Sequence, residues 1–129
     1  MEQQPVSEFK SKGGFKRIIA AFVNSIDGFQ AAWRSEYAFR QEVIVVLIGT
    51  GVALLLPVSS FQKVLLISVL LLVLLVEIIN SAIEAVVDRI SLDRHPLSKR
   101  AKDMGSAAVA LSIMIAVMAW IVVLSNRYY

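Results

Sequence analysis

Five polar residues recur along one stretch of the chain that is otherwise apolar. At roughly 100° per residue they fall within an arc of about 100° on one helix face, and they are Glu77, Asn80, Ser81, Glu84 and Asp88. Ionisable side chains are costly at membrane depth, so a cluster of them indicates chemistry or transport. Carboxylate and amide oxygens in a row are hard ligands, which suit Mg²⁺ carried in by nucleotide phosphates.

A basic run follows this polar face in the sequence. It reads Leu97-Ser-Lys-Arg-Ala-Lys-Asp-Met-Gly-Ser106, and its cations can hold phosphate oxygens while Asp103 orders them by ion pairing. Glu36 can add a carboxylate. A metal, a basic clamp and a spare carboxylate are the parts that phosphoryl transfer needs. The chain has no glycine-rich phosphate loop and no protein-kinase signature, so such a site would be all-helical.

The elements that must position these residues are long and apolar. Of the 129 residues 57% are hydrophobic, which is too much apolar surface for a soluble core, and cysteine is absent. A membrane helix needs about 20 mostly apolar residues, and three segments meet this requirement: about 37–57, 61–90 and 102–125. A tight turn, Pro57 to Ser60, separates the first two spans, and a longer polar connection, Ser91 to Arg100, separates the last two.

The segment before the first span has a different character. Residues 1–14 are polar and are predicted to be a mobile tail, whereas apolar residues at three- and four-residue spacing predict a surface helix over 15–33. The predicted fold is therefore an all-α membrane protein, in which residues 15–129 form one membrane-embedded domain of an amphipathic N-terminal surface helix plus three transmembrane helices.

Lysine and arginine are concentrated before the first span and in the second connection. By the positive-inside rule the N-terminus is cytoplasmic and the C-terminus lies outside, so the polar face occupies the cytoplasmic half of its span. Because the basic residues flank apolar spans, they indicate attraction to membrane lipid, and no nucleic acid is expected as a partner.

Simpler interpretations compete with the chemical one. The arginines near the spans can be topology signals, the two glutamates can bond across helices for assembly, and Asp88 and Asp103 can be interfacial ion pairs. His95 can be a solvated loop residue, and Trp33 and Trp120 can be interfacial or lipid-facing side chains. A small membrane transporter or assembly subunit would use the same glutamates without consuming ATP.

Three blocks of sequence resemble one known family, the prokaryotic integral-membrane diacylglycerol kinases. The blocks follow one another in the family's order, and the resemblance runs from about residue 14 to residue 124. The blocks read Ala31-Ala-Trp-Arg-Ser-Glu-Tyr-Ala-Phe-Arg-Gln-Glu42, Glu77-Ile-Ile-Asn-Ser-Ala-Ile-Glu-Ala-Val-Val-Asp-Arg-Ile90 and Ala101-Lys-Asp-Met-Gly-Ser-Ala-Ala-Val109. The resemblance implies a homotrimer in the bacterial inner membrane, with sites between subunits. It also implies transfer of the γ-phosphate of MgATP to diacylglycerol, giving phosphatidic acid. A related activity, phosphorylation of undecaprenol by the same fold, is the alternative.

The resemblance assigns roles residue by residue. Glu77 takes the place of the general base, and Glu36 and Glu84 take those of the carboxylates that bind Mg²⁺. The ATP-binding residues that follow are Arg17, Asn24, Glu36, Glu84, Asp93, Arg94, His95, Lys102 and Asp103. The predicted substrate-binding residues are Arg17, Trp33, Arg40, Glu77, Asn80, Ser106 and Trp120. Asn80 and Asp88 are expected to support the constellation.

Overall fold

The computed structural model describes residues 14–128, and within this range the secondary structure consists of four α-helices without a strand. The helices are α1 (Gly14–Ser35), α2 (Tyr37–Leu55), α3 (Ser60–Ile90) and α4 (Pro96–Tyr128). The last three are long and apolar enough to cross a membrane, which confirms the predicted all-α membrane fold. The predicted tail lies outside the described residues except for Gly14, where α1 begins.

Helix α1 forms a unit of its own, and residues from Glu36 onward form the second unit. The helix covers the predicted surface segment and extends it by one residue at the N-terminus and two at the C-terminus. Its large apolar residues, among them Phe15, Ile18 and Phe22, are exposed, as expected of a helix whose apolar face lies in a lipid interface.

In the second unit, α3 packs against both α2 and α4. Ala53 of α2, Leu66 of α3 and Val123 of α4 form one buried cluster. The space that a Cβ of Gly49 would occupy lies 2.5 Å from Leu70 Cδ1, so α2 and α3 approach closely. Small residues at such contacts fit a membrane protein, because lipid chains are as apolar as the helices and close packing must drive their association.

The turn between α2 and α3 is ordered by side chains. The Ser59 hydroxyl accepts a hydrogen bond from the Gln62 amide N–H (3.2 Å), and the Ser59 N–H donates to Gln62 Oε1 (3.0 Å). This reciprocal pair is a capping box, which satisfies two donors at the start of α3. Lys63 Nζ donates to the carbonyl oxygen of Leu54 (2.7 Å), so the cation also caps the end of α2.

Replacing Ser59 by alanine is expected to lower the free energy of unfolding by about 1 kcal/mol, because the cap of α3 loses its acceptor. Unfolding in detergent micelles, followed by circular dichroism, measures this change. Ser125→Ala is the matched control, since Ser125 is an exposed serine away from any helix start. Equal losses for the two variants would contradict a capping role for Ser59.

The connection between α3 and α4 is shorter than predicted. It spans residues 91–95, because α4 begins at Pro96 instead of after Arg100. Proline is well suited to the first helical position, where its missing N–H has no partner to lose. His95 Nδ1 accepts a hydrogen bond from the Leu97 N–H (3.1 Å) and so caps the new helix, while the Ser91 hydroxyl accepts one from the Asp93 N–H (3.0 Å).

Candidate functional site

The polar face of α3 begins inside the helix packing. Glu77 is 5% exposed and Asn80 8% exposed, so a carboxyl and an amide are both buried between apolar helices. They continue, at three- and four-residue spacing, the same face that buries Leu66, Val69 and Val73. They therefore occupy positions of α3 that face the helix packing. Burying an ionisable or polar side chain there costs free energy, so such residues usually have a function.

The next turns of the face are linked by a hydrogen bond and become more exposed. Asn80 Nδ2 donates to Glu84 Oε1 (3.2 Å). Glu84 is half-buried and Asp88 is exposed, so the face runs from the core to the end of α3. The other amide atom, Asn80 Oδ1, is buried and has no hydrogen-bond partner among the described residues. It lies against Gly105 of α4.

Two carboxylates come to this face from the α2 side. Glu36 occupies the N-cap position of α2, where its side chain makes no capping hydrogen bond. Glu36 and Glu84 interact electrostatically with Glu77. Glu42 of α2 also interacts electrostatically with Glu77. The structure thus gathers four acids near the buried end of the polar face.

Glu42 is a member of this acidic cluster that the sequence prediction did not include among the site residues. The antiparallel register that sets Gly49 against Leu70 brings Glu42 to the level of Glu77, two turns further along each helix. One of its oxygens, Oε2, is buried and has no hydrogen-bond partner within residues 14–128. The register of the helix hairpin is the signal that could have identified it.

The basic run meets the polar face through an ion pair between helices. Lys102 Nζ of α4 lies 2.6 Å from Asp88 Oδ1 of α3, and Glu84 is a second electrostatic neighbour of Lys102. Lys99 pairs with Asp103 along α4. Both pairs are partly or largely exposed, and such pairs contribute little to stability. Their main consequence is that a cation of α4 is held beside the acids of α3.

A groove of about 630 Å³ opens at the same end of the unit, around the connection between α3 and α4. The structure brings together here six of the residues predicted to bind or support the nucleotide, namely Asp88, Asp93, Arg94, His95, Lys102 and Asp103. Oppositely charged side chains share this groove, so it can bind an anion such as a phosphate through its cations and can orient those cations through its carboxylates.

A second groove, of about 520 Å³, is almost entirely apolar and carries Glu42 as its charged side chain. Trp120 lines it and packs against the cluster that includes Ala53 of α2, and also against a second buried cluster formed by Val69, Val73 and Ala116. The remaining predicted substrate-binding residues are spread over the chain. Arg40 lies over the ring of Tyr37 (5.5 Å from its Cζ to the centroid), and Ser106 is exposed on α4.

The predicted site residues on α1 are Arg17, Asn24 and Trp33, all of which are exposed in the unit that this helix forms by itself. Their roles in ATP and substrate binding stay predictions. The predicted substrate-binding set as a whole also stays a prediction. Of its members on α2, α3 and α4, Trp120 lines the apolar groove and none lines the charged groove.

The donor chemistry of the polar face suits Mg²⁺. Carboxylate oxygens are among the ligands that this ion prefers, and Glu36 and Glu84 supply them beside Glu77. No group of three or more His, Asp or Glu side chains within residues 14–128 is arranged to hold a metal ion by itself. The residues therefore fit an ion that is bound by one or two carboxylates and completed by substrate phosphates, which is the usual arrangement for Mg²⁺.

Three apolar helices with a buried carboxyl–amide face, next to a groove of mixed charge, define a helical membrane protein with a polar site at one end. The model of the prokaryotic diacylglycerol kinase family matches residues 23–124. The chain is 53% identical to the diacylglycerol kinase of Escherichia coli strain K12 over 115 residues, which cover 89% of this chain and 94% of that protein.

Two further relatives extend this similarity. The diacylglycerol kinase of Pseudomonas aeruginosa is 52% identical over 118 residues, covering 92% of this chain and 96% of that protein. That of Helicobacter pylori is 42% identical over 107 residues, covering 83% and 84%. The chain belongs to the prokaryotic diacylglycerol kinase family, which confirms the resemblance seen in the three sequence blocks.

Proposed function

We propose that this chain is an ATP-dependent lipid kinase, which transfers the γ-phosphate of MgATP to 1,2-diacylglycerol and so forms phosphatidic acid. The main observation behind the proposal is the polar face of α3. Glu77 and Asn80 are buried, Asn80 is hydrogen-bonded to Glu84, and the charged groove lined by Lys102 lies at the end of the same face. Such a face can join a lipid hydroxyl at the membrane interface to a water-soluble phosphate donor. Family membership supports the same activity.

The proposed enzyme is a homotrimer in the bacterial inner membrane, with its N-terminus in the cytoplasm and its C-terminus outside. The basic residues before α2 and around the connection from α3 to α4 support this orientation by the positive-inside rule. Sites between subunits would complete grooves that a single small chain leaves open.

Nucleotide binding is assigned to the charged groove. Lys102 holds phosphate oxygens while Asp103 and Asp88 orient the cations, and the connection residues Asp93, Arg94 and His95 cover the nucleotide. By resemblance, α1 contributes Arg17 and Asn24. Glu36 and Glu84 would hold Mg²⁺, which when bound neutralises phosphate charge and orients the γ-phosphate for in-line displacement.

In the transfer step Glu77 acts as general base. Its carboxylate accepts the proton of the diacylglycerol hydroxyl as that oxygen forms a bond to the γ-phosphorus. The bond between the γ-phosphorus and the bridging oxygen breaks, and ADP leaves with the electron pair. Asn80 holds Glu84 in position through its hydrogen bond. The lipid is bound by the residues predicted for it, which are Arg17, Trp33, Arg40, Glu77, Asn80, Ser106 and Trp120.

The test is an assay of purified protein in mixed micelles with radiolabelled ATP and Mg²⁺, in which diacylglycerol and undecaprenol are supplied separately. We expect labelled phosphatidic acid and a higher kcat/KM for diacylglycerol. A higher kcat/KM for undecaprenol would reassign the substrate to a polyprenol. Failure to consume ATP with either lipid would overturn the kinase proposal in favour of a transporter or an assembly subunit.

A further inference from the structure

Gly105 is buried on α4 at the point where this helix meets the polar face of α3. A Cβ atom built on Gly105 would overlap the amide oxygen of Asn80 and lie 3.2 Å from Asn80 Cγ. No residue with a side chain can therefore occupy position 105 while the Asn80 amide stays where it is.

The neighbour of Gly105 is what distinguishes it from an ordinary packing glycine. Small residues commonly let membrane helices approach each other, and Gly49 does so against the apolar tip of Leu70. Gly105 instead makes room for a polar side chain, and this side chain donates a hydrogen bond to Glu84 Oε1. The same turn of α4 carries Lys102, which pairs with Asp88.

We propose that Gly105 is a positioning residue of the metal–nucleotide site. It leaves the space in which the Asn80 amide is held while that amide orients the Glu84 carboxylate. The inference rests on the proposed function, since it takes Glu84 to be a ligand of the Mg²⁺ that accompanies ATP. Loss of a partner that orients a metal-binding ligand typically lowers metal affinity or activity by about 10- to 100-fold.

A methyl group at position 105 should change the site more than the fold. The atoms it would meet belong to the end of one side chain, so rotation of the Asn80 amide relieves the overlap without moving a helix. That rotation breaks the hydrogen bond to Glu84. Alanine also favours a helix over glycine, by up to about 1 kcal/mol, which offsets part of the cost.

The experiment compares Gly105→Ala with Gly51→Ala, whose Cβ would meet open space, and with Gly49→Ala, which crowds an apolar contact. Mn²⁺ binding in the presence of a non-hydrolysable ATP analogue, followed by electron paramagnetic resonance, gives a readout that is independent of turnover. The Mg²⁺ concentration for half-maximal kinase activity and the thermal midpoint are measured on the same preparations.

We expect Gly105→Ala to weaken Mn²⁺ binding and to raise the Mg²⁺ requirement by about 10- to 100-fold, the range typical of residues that orient metal ligands. Both glycine controls should keep the wild-type values. Asn80→Ala should reproduce the effect, and adding Gly105→Ala to it should change nothing further, because the two residues act through one contact. The double variant also lacks the overlap, so it tests the inference if Gly105→Ala alone fails to fold.

An unchanged metal affinity in Gly105→Ala would overturn the inference, as would an equal loss in Gly49→Ala or a full additional loss in the Asn80→Ala background. These outcomes leave the proposed function standing if the wild-type protein phosphorylates diacylglycerol. Absence of transfer by the wild-type protein would overturn the proposed function and this inference with it.

Discussion

A Glu77→Gln variant is expected to lose lipid phosphorylation by about 10²- to 10⁴-fold in kcat, the usual contribution of a positioned general base. Glutamine has nearly the same size as glutamate, so the buried position stays filled. The amide cannot accept the proton of the lipid hydroxyl. Because the substitution also removes a buried ionisable group, it should leave folding intact. Transfer in mixed micelles and binding of a fluorescent ATP analogue measure the two consequences separately.

Glu42→Gln is the matched control for this prediction. It neutralises an acid that is electrostatically coupled to Glu77, on the opposite helix of the hairpin. If Glu77 acts only through its negative charge, the two variants should lose activity to a similar degree. If Glu77 accepts the proton, Glu42→Gln should retain at least about tenfold more activity. Full kinase activity in Glu77→Gln would remove Glu77 as the base.

The membrane helices and the inward face of α3 could be predicted because their signals are local. Length and apolar composition suffice for α2, α3 and α4. The three- and four-residue spacing of Glu77, Asn80 and Glu84 was enough to place them on one face of a helix. The residues of the charged groove are also close in sequence, around a single connection, so their proximity could be predicted before the helices were placed, while their binding roles stay predictions.

The start of α4 was less predictable, because proline both ends helices and opens them. The local sequence around Pro96 has no apolar periodicity that would choose between these roles. In the structure Pro96 begins α4, and the ring nitrogen of His95 caps the first turn of this helix. The earlier start of α4 places Lys99 on the helix together with Lys102, which pairs with Asp88.

Contacts between helices were the least accessible part of the site. Glu42 reaches the level of Glu77 only through the register of α2 on α3, which depends on the turn and on the close approach at Gly49. The role of Gly105 likewise depends on what faces it across the packing. A sequence shows that a glycine is present in a helix, but the neighbour that needs its missing Cβ appears only when the second helix is in place.

A Glu84→Gln variant is expected to raise the Mg²⁺ concentration for half-maximal activity by about 10- to 100-fold or more, since loss of a ligand should cost at least as much as loss of its orienting partner. Glutamine retains an oxygen that can accept the hydrogen bond from Asn80, so the change is mainly one of charge. Activity is measured over a range of Mg²⁺ concentrations at fixed, saturating ATP.

Asp88→Asn supplies the contrast for Glu84→Gln, because it removes a carboxylate from the same helix face one turn further along. Asp88 pairs with Lys102 in the charged groove, so its loss should change the KM for ATP and leave the Mg²⁺ requirement near that of the wild type. The two acids would then be separable by the ligand that each affects. An unchanged Mg²⁺ requirement in Glu84→Gln would count against Glu84 as a metal ligand, and so would an equal shift of this requirement in Asp88→Asn. The acids of the face would then share one common electrostatic role.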